Sequence, residues 1–108
     1  MSDHHLGQVV IRPWGQYQVI GQGFGFYAAS SHMYKIKTIT IEPGKSISLQ
    51  YHLHRKEIWT VLHGAGKAKI GSEKRIILEG DTVTVPVGVV HKLSNAGKTR
   101  LIILEAQM

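Results

Sequence analysis

The stretch from Gly44 to Gly64 reads GKSISLQYHLHRKEIWTVLHG and decides the fold. Between Ser46 and His54 its side chains alternate with a period of two, which is the period of a β-strand. The two predicted faces carry Ile47, Leu49, Tyr51 and Leu53 on one side, and Ser48, Gln50, His52 and His54 on the other. A second predicted strand follows from Glu57 to His63 and ends at a glycine-containing turn. The stretch therefore predicts two consecutive strands.

Short predicted strands separated by Gly, Pro and Asn continue along the chain. They cover residues 33–41, 67–70, 75–79, 82–85, 89–94 and 99–105, with weaker candidates at 8–11 and 17–20. Such spacing is typical of an all-β sandwich or barrel. We expect one structural domain, in which residues 1–32 form an N-terminal arm of short strands with a glycine-rich loop and residues 33–108 form the barrel. The glycines at 21–25 are not a dinucleotide-binding motif, because Phe26 stands at the third glycine position and no helix is predicted after it.

The composition limits what kind of protein this is. The chain has 108 residues, 43% of them hydrophobic, which suits one domain with a buried core. It contains no cysteine, so it forms no disulfide and any metal must be held by nitrogen and oxygen ligands. No apolar run is long enough to cross a bilayer, and the N-terminus lacks the features of a signal peptide. We therefore expect a cytoplasmic protein that is not associated with membranes.

The formal net charge of +6 raises the question of an anionic partner. The lysines and arginines are scattered along predicted strands and form no dense run, which is more typical of a solvated face than of a nucleic-acid interface. A moderate positive field also suits a small anionic substrate such as a sugar phosphate. We therefore expect a small anionic ligand and no nucleic acid.

Residues able to bind a metal gather on one face of the strand at 46–54. Gln50, His52 and His54 share that face, although barrel strands usually turn apolar residues inward. Glu57 opens the next predicted strand, and His91 follows Pro86-Val87-Gly88 far downstream. Imidazole, carboxylate and amide oxygen together form a plausible coordination set for a divalent metal. Either Gln50 or His54 can complete a set that contains His52, Glu57 and His91.

At these positions the chain resembles the cupin superfamily. Its first block, Gly, five residues, His-x-His, three or four residues, Glu, six residues, Gly, matches Gly44, Gln50, His52, Glu57 and Gly64, with Gln50 in place of the first histidine. Its second block matches Gly80, Pro86, Gly88, His91 and Asn95 without a gap. The resemblance implies a double-stranded β-helix, that is, a jelly-roll-like barrel, with Gln50, His52, Glu57 and His91 as metal ligands.

Three segments also resemble the type II phosphomannose isomerase domain: RPWG at 12–15, LQYHLHRKEIW at 49–59 and PVGVVH at 86–91. That resemblance implies a divalent ion (Zn first, with Mn, Co, Fe or Ni as alternatives) and interconversion of mannose 6-phosphate and fructose 6-phosphate. The guanylyltransferase half that often accompanies this domain is absent from the sequence, so we expect a free-standing isomerase-like domain. The family also suggests a homodimer.

The candidate catalytic residues lie between His52 and Glu57 in the sequence. His54 is our candidate for the proton-transferring base, and Arg55 for a phosphate contact through its guanidinium group. Arg12, Lys35 and Lys37 are weaker phosphate candidates, and Arg55 can also be a plain surface charge. The alternatives to an isomerase are a dioxygenase acting on another small substrate and a non-catalytic sugar- or metal-binding module, acting alone or with a separate nucleotidyltransferase.

Overall fold

Ten β-strands build the chain in a computed structural model that describes residues 6–27, 30–50 and 55–108. They are β1 (Val9–Arg12), β2 (Gly15–Tyr27), β3 (Ser30–Ile41), β4 (Ser46–Gln50), β5 (Glu57–His63), β6 (Gly66–Ile70), β7 (Glu73–Ile77), β8 (Thr82–Val85), β9 (His91–Ser94) and β10 (Leu101–Gln107). No helix occurs within the described ranges, so the all-β prediction is confirmed. It follows that none of these residues forms a helix able to cross a membrane.

The strands form two antiparallel sheets with the core between them. The larger sheet has the order β1-β2-β3-β10-β5-β8, and the smaller has the order β4-β9-β6-β7. One buried cluster draws on both sheets, with Ile39, Val61 and Ile103 from the larger sheet and Ala68 and Leu93 from the smaller. Burial of these apolar faces against each other is the main force that holds the two sheets together.

The interior changes from apolar to polar along the barrel. On β10 the buried positions alternate as Leu101, Ile103, Glu105 and Gln107, so the last two inward residues are polar. Register places Ile103 beside Ile39 and Val61, but places Glu105 beside Lys37 and Trp59. Aliphatic rows therefore close one end of the barrel, while a polar row lines the other.

The two cupin sequence blocks meet in the folded chain. The Gly44 amide donates to the carbonyl of Asn95 at 3.0 Å, and the Asn95 amide donates to the carbonyl of Lys45 at 2.9 Å. All four glycines of the blocks, at positions 44, 64, 80 and 88, have positive φ. At Gly64 a Cβ atom would also lie 2.5 Å from the carbonyl oxygen of Arg100, so both the conformation and the space there require glycine.

The glycine-rich segment at 21–25 was expected to form a loop, but it lies inside β2, paired with β3 along its length. Its glycines face bulky residues across the ladder: Gly21 pairs with Ile36, and Gly23 pairs with Tyr34. A Cβ atom on Gly23 would lie 3.0 Å from the Tyr34 hydroxyl. An aromatic ring covering a cross-strand glycine compensates for the missing side chain, which is how this segment remains a strand.

Candidate functional site

The polar end of the barrel opens into a cavity of about 270 Å³. Its lining draws on both sheets and combines charged, aromatic and aliphatic side chains. The lining residues are Arg12, Trp14, Tyr17, Lys37, Ile39, Ile47, Arg55, Glu57, Trp59, His91, Lys92, Leu93, Glu105 and Gln107. A concave site with an apolar wall and a few convergent polar groups has the form of a small-molecule site.

Glu57 and His91 lie at the centre of this cavity. Glu57 begins β5 in the larger sheet, His91 begins β9 in the smaller sheet, and both side chains are almost fully buried. The Oε1 atom of Glu57 is 3.6 Å from Nε2 of His91. These two predicted ligands, separated by 34 positions in the sequence, therefore come together in space.

The orientation of His91 is set by its own backbone. Its Nδ1 atom is 3.0 Å from the carbonyl oxygen of Val89, and a carbonyl oxygen can only accept a hydrogen bond. The proton of a neutral ring is thereby fixed on Nδ1, which leaves the lone pair of Nε2 directed towards Glu57. The ring also packs edge-on against Trp59, with centroids 5.6 Å apart.

The other predicted ligands are described only in part. The backbone of Gln50, the last residue of β4, pairs in register with His91, which brings the chain at position 50 next to the site. The side chain of Gln50 is outside the description, and His52 and His54 lie outside the described residues altogether. Among the residues described, no group of three or more His, Cys, Asp or Glu side chains is close enough to hold a metal ion.

Arg55 contacts Glu57. Its Nη2 and Nε atoms lie 3.1 Å and 3.2 Å from Oε2 of Glu57. Two nitrogen donors on one carboxylate oxygen hold the Glu57 side chain in place and leave Oε1 on the side of His91. Arg55 was predicted to contact phosphate, and in this structure its guanidinium is occupied by the carboxylate.

Glu105 is a second buried carboxylate that the motifs did not indicate. Its Oε1 accepts a hydrogen bond from Trp59 Nε1 at 3.1 Å, and its Oε2 accepts one from Gln107 Nε2 at 2.8 Å. Trp59 Nε1 also donates to Oε1 of Glu57 at 3.2 Å, so the indole joins the two carboxylates. Burial and the nearby negative charge of Glu57 raise the pKa of Glu105 to about 7.

Lys37 contributes a cation to the same row. It stands directly opposite Glu105 in the β3–β10 ladder. Burial lowers the pKa of its ammonium group, and the charge of Glu105 partly offsets that effect. In the sequence, Lys37, Glu105 and Gln107 can be recognised by their positions. Each continues a series of apolar residues at alternate positions of its strand, so its side chain is expected to point into the barrel.

The described pair fits a divalent metal. Two ligand atoms that are each about 2.1 Å from one tetrahedral ion lie about 3.4 Å apart, close to the separation seen here. A neutral imidazole nitrogen and a carboxylate oxygen are also the donor types that Zn and its neighbours prefer. Glu57 and His91 would therefore supply two ligands, one from each sheet.

A two-sheet antiparallel barrel with a buried carboxylate and imidazole in its mouth belongs to the cupin class. Solved cupin-like structures support the fold: KdgF from Halomonas sp. superposes with a TM-score of 0.75 at 17% identity, covering 91% of this chain and 82% of that chain. The Cnp3 cupin domain of Schizosaccharomyces pombe has a TM-score of 0.68 at 12% identity, covering 84% of this chain and 63% of that one. At these identities the likeness concerns the fold alone.

Within that class, the chain belongs to the mannose-6-phosphate isomerase C-terminal family, whose model matches residues 1–108. The chain is also 35% identical over 105 residues to the mannose-1-phosphate guanylyltransferase ManC of Salmonella typhimurium. That match covers 97% of this chain and 20% of the relative, so the chain spans about one fifth of its length. The family membership and the relative together connect the chain with sugar-phosphate metabolism.

Proposed function

We propose that this chain is a metal-dependent aldose–ketose isomerase that interconverts mannose 6-phosphate and fructose 6-phosphate. The observation that carries the proposal is the 3.6 Å approach of Glu57 Oε1 to His91 Nε2 inside a cavity lined by cations. The family to which the chain belongs supports it. The guanylyltransferase activity for which the relative is named is a property of that longer protein.

The proposed metal site combines described and undescribed residues. Glu57 and His91 supply two ligands. Gln50 and His52 are proposed as the others because the backbone of Gln50 pairs with His91 and the sequence pattern predicts His52 on the same face as Gln50. A divalent ion held there would act as a Lewis acid on the sugar carbonyl and stabilise the charge that develops on its oxygen. Zn is our first choice of metal, with Mn, Co, Fe or Ni as alternatives.

The protein's own groups would position the sugar and move its protons. Isomerisation transfers a proton between C1 and C2 of the sugar, which requires a base beside the carbon chain. His54 remains our proposed base, because the strand pattern places it on the same face as Gln50 and His52. Arg55 acts in this scheme as a positioning residue that holds Glu57. The aliphatic wall formed by Ile39, Ile47 and Leu93 limits the access of water.

The direct test is turnover of mannose 6-phosphate by purified protein loaded separately with Zn, Mn, Co, Fe or Ni, together with elemental analysis of bound metal. We expect His91→Ala to lose both stoichiometric metal and turnover. The matched control is His63→Ala, because His63 is exposed on β5 and does not line the cavity. Lack of turnover with all five metals in a folded, metal-loaded wild-type protein would refute the isomerase proposal. Tight sugar-phosphate binding in that same protein would instead indicate a binding module.

A further inference from the structure

Two cations of the cavity share one aromatic ring. The ammonium nitrogen of Lys37 lies 4.7 Å from the centroid of the Tyr17 ring, and the guanidinium carbon of Arg12 lies 5.5 Å from the same centroid. The three residues come from three neighbouring strands, β3, β2 and β1, and all three line the cavity that contains Glu57 and His91. Attraction of both cations to one aromatic ring keeps them in the same part of the cavity despite their mutual repulsion.

The balance of charges in the cavity favours binding of an anion by Arg12 and Lys37. The lining contains four cationic side chains, Arg12, Lys37, Arg55 and Lys92, against the two carboxylates Glu57 and Glu105. Arg55 is committed to Glu57 by two contacts of 3.1–3.2 Å. The Lys37 ammonium is partly desolvated and lies opposite Glu105 in the ladder, and the charges of Glu105 and Glu57 both act on it. A dianion between Lys37 and Arg12 would gain two charge-assisted contacts and reduce the repulsion between the two cations.

We propose that Arg12 and Lys37, arranged on the ring of Tyr17, form the subsite that binds the phosphate group of the substrate. The inference rests on the proposed function, since it orients a sugar phosphate with its phosphate towards β1–β3 and its reacting end towards Glu57 and His91. From the sequence, Arg55 was the first phosphate candidate and Arg12 and Lys37 were weaker ones. Because Arg55 contacts Glu57, we assign the phosphate to Arg12 and Lys37 instead. The same chemistry would also bind free inorganic phosphate, so the experiment must separate the two ligands.

The first measurement uses inorganic phosphate and metal-free protein, which makes it independent of turnover and of metal binding. Isothermal titration calorimetry should detect phosphate binding to the wild type. Because each substitution removes a charge-assisted contact, we expect Lys37→Ala and Arg12→Ala each to weaken binding about tenfold or more. Lys37→Arg keeps the charge and should restore much of the affinity. The matched control is Lys67→Ala, which removes an exposed lysine of β6 that does not line the cavity and should leave binding unchanged.

The second measurement compares mannose 6-phosphate with unphosphorylated mannose on the metal-loaded protein. We expect Lys37→Ala to raise the dissociation constant of mannose 6-phosphate about tenfold and to leave that of mannose unchanged. Circular dichroism of each variant establishes that it is folded. Wild-type protein that binds no phosphate, or folded Arg12 and Lys37 variants that bind it as well as Lys67→Ala does, would overturn the subsite. Failure of the isomerase proposal alone would give a different result. The wild type would then bind phosphate in a manner that depends on Lys37, but it would not turn over mannose 6-phosphate.

Discussion

At the scale of single residues, the most informative side chain is Glu105. It is buried beside a second carboxylate, and its main support comes from hydrogen bonds donated by Trp59 and Gln107. Burial of a carboxylate raises the free energy of the charged form, and a neighbouring negative charge raises it further. Glu105 should therefore make the stability of the metal-free protein depend on pH.

The sign of that dependence follows from its pKa, which is about 7 in the folded chain against an ordinary value of 4.5. Between these values the folded state binds more protons than the unfolded state, so the free energy of unfolding falls as the pH rises from 5 to 8. The size of the effect is on the order of 3 kcal/mol. Glu105→Gln should remove it, which urea denaturation in the presence of a chelator at several pH values would measure.

The comparison needs a control because histidine side chains ordinarily change charge in the same pH range and the chain contains seven histidines. Glu73→Gln provides it, since Glu73 is exposed and pairs with Arg75 at the surface, where ion pairs contribute little. The slope of stability against pH should match the wild type in Glu73→Gln and become flatter in Glu105→Gln. Identical slopes in all three proteins would mean that Glu105 ionises normally in the folded chain.

The same residue shows how far the sequence could predict the site. Glu57 and His91 were predicted from motif spacing, and the structure brings their side chains within 3.6 Å of each other. Glu105 and Gln107 belong to no motif, and they are visible in the sequence only as polar residues at inward positions of β10. Their partners were unpredictable because the pairing of β10 with both β3 and β5 is set by the order of strands in the sheet, which no local pattern specifies.

At the scale of elements, the strands predicted from Met33 onwards were confirmed with small shifts of their ends wherever the structure describes them, and residues 51–54 of the strand predicted at 46–54 lie outside the described residues. The hairpin of β2 and β3, by contrast, was not foreseen in full. The sequence indicated only Tyr17 to Ile20 as a strand there, but β2 extends over 13 residues. Local propensity failed because glycine is a poor strand former by itself. Pairing with the bulky residues of β3, such as Tyr34 beside Gly23, overrides that propensity and depends on contacts across the hairpin.

The side chain of Asn95 stabilises the turn that follows β9. It is buried in the turn after β9, where its Nδ2 donates to the carbonyls of Ile41 and Thr99 at 2.8 Å each and its Oδ1 accepts from the Gly97 amide at 2.9 Å. These bonds join the end of β9, the strand that carries His91, to the end of β3.

Asn95→Ala should therefore lower the free energy of unfolding by about 2–4 kcal/mol, because it removes three hydrogen bonds of a buried side chain and leaves backbone groups without these partners. Asn95→Asp keeps only the acceptor for Gly97 and should also destabilise the fold. Lys98→Ala, an exposed substitution in the same turn, is the control and should change stability by less than about 0.5 kcal/mol. Chemical denaturation measures all three variants. A stability of Asn95→Ala equal to that of the control would show that these hydrogen bonds contribute nothing net.

At the scale of the whole molecule, the apolar end of the barrel contributes stability and the polar end contains the candidate site. The apolar end contains the fully buried Ile41, Leu101 and Ile103, which hold the two sheets together. The polar end contains Glu57 on one sheet and His91 on the other, facing each other across the gap. Assembly into a homodimer and residence in the cytoplasm remain predictions, the first of which sedimentation would test.

Because the proposed ligands Glu57 and His91 come from different sheets, a bound metal would join the sheets at the end of the barrel where the interior is polar. A ligand that binds only the folded state stabilises it by about 2.7 kcal/mol when its free concentration is a hundred times its dissociation constant. In a domain of this size that amounts to a rise in Tm of roughly 10 °C or more. We expect this rise when Zn or Mn is added to chelator-treated wild type and to His63→Ala, measured by calorimetry. His91→Ala should lose most of it, because the ligand from the smaller sheet is gone. An equal rise in His91→Ala would place the metal away from the interface between the sheets, and the site built on Glu57 and His91 would have to be abandoned.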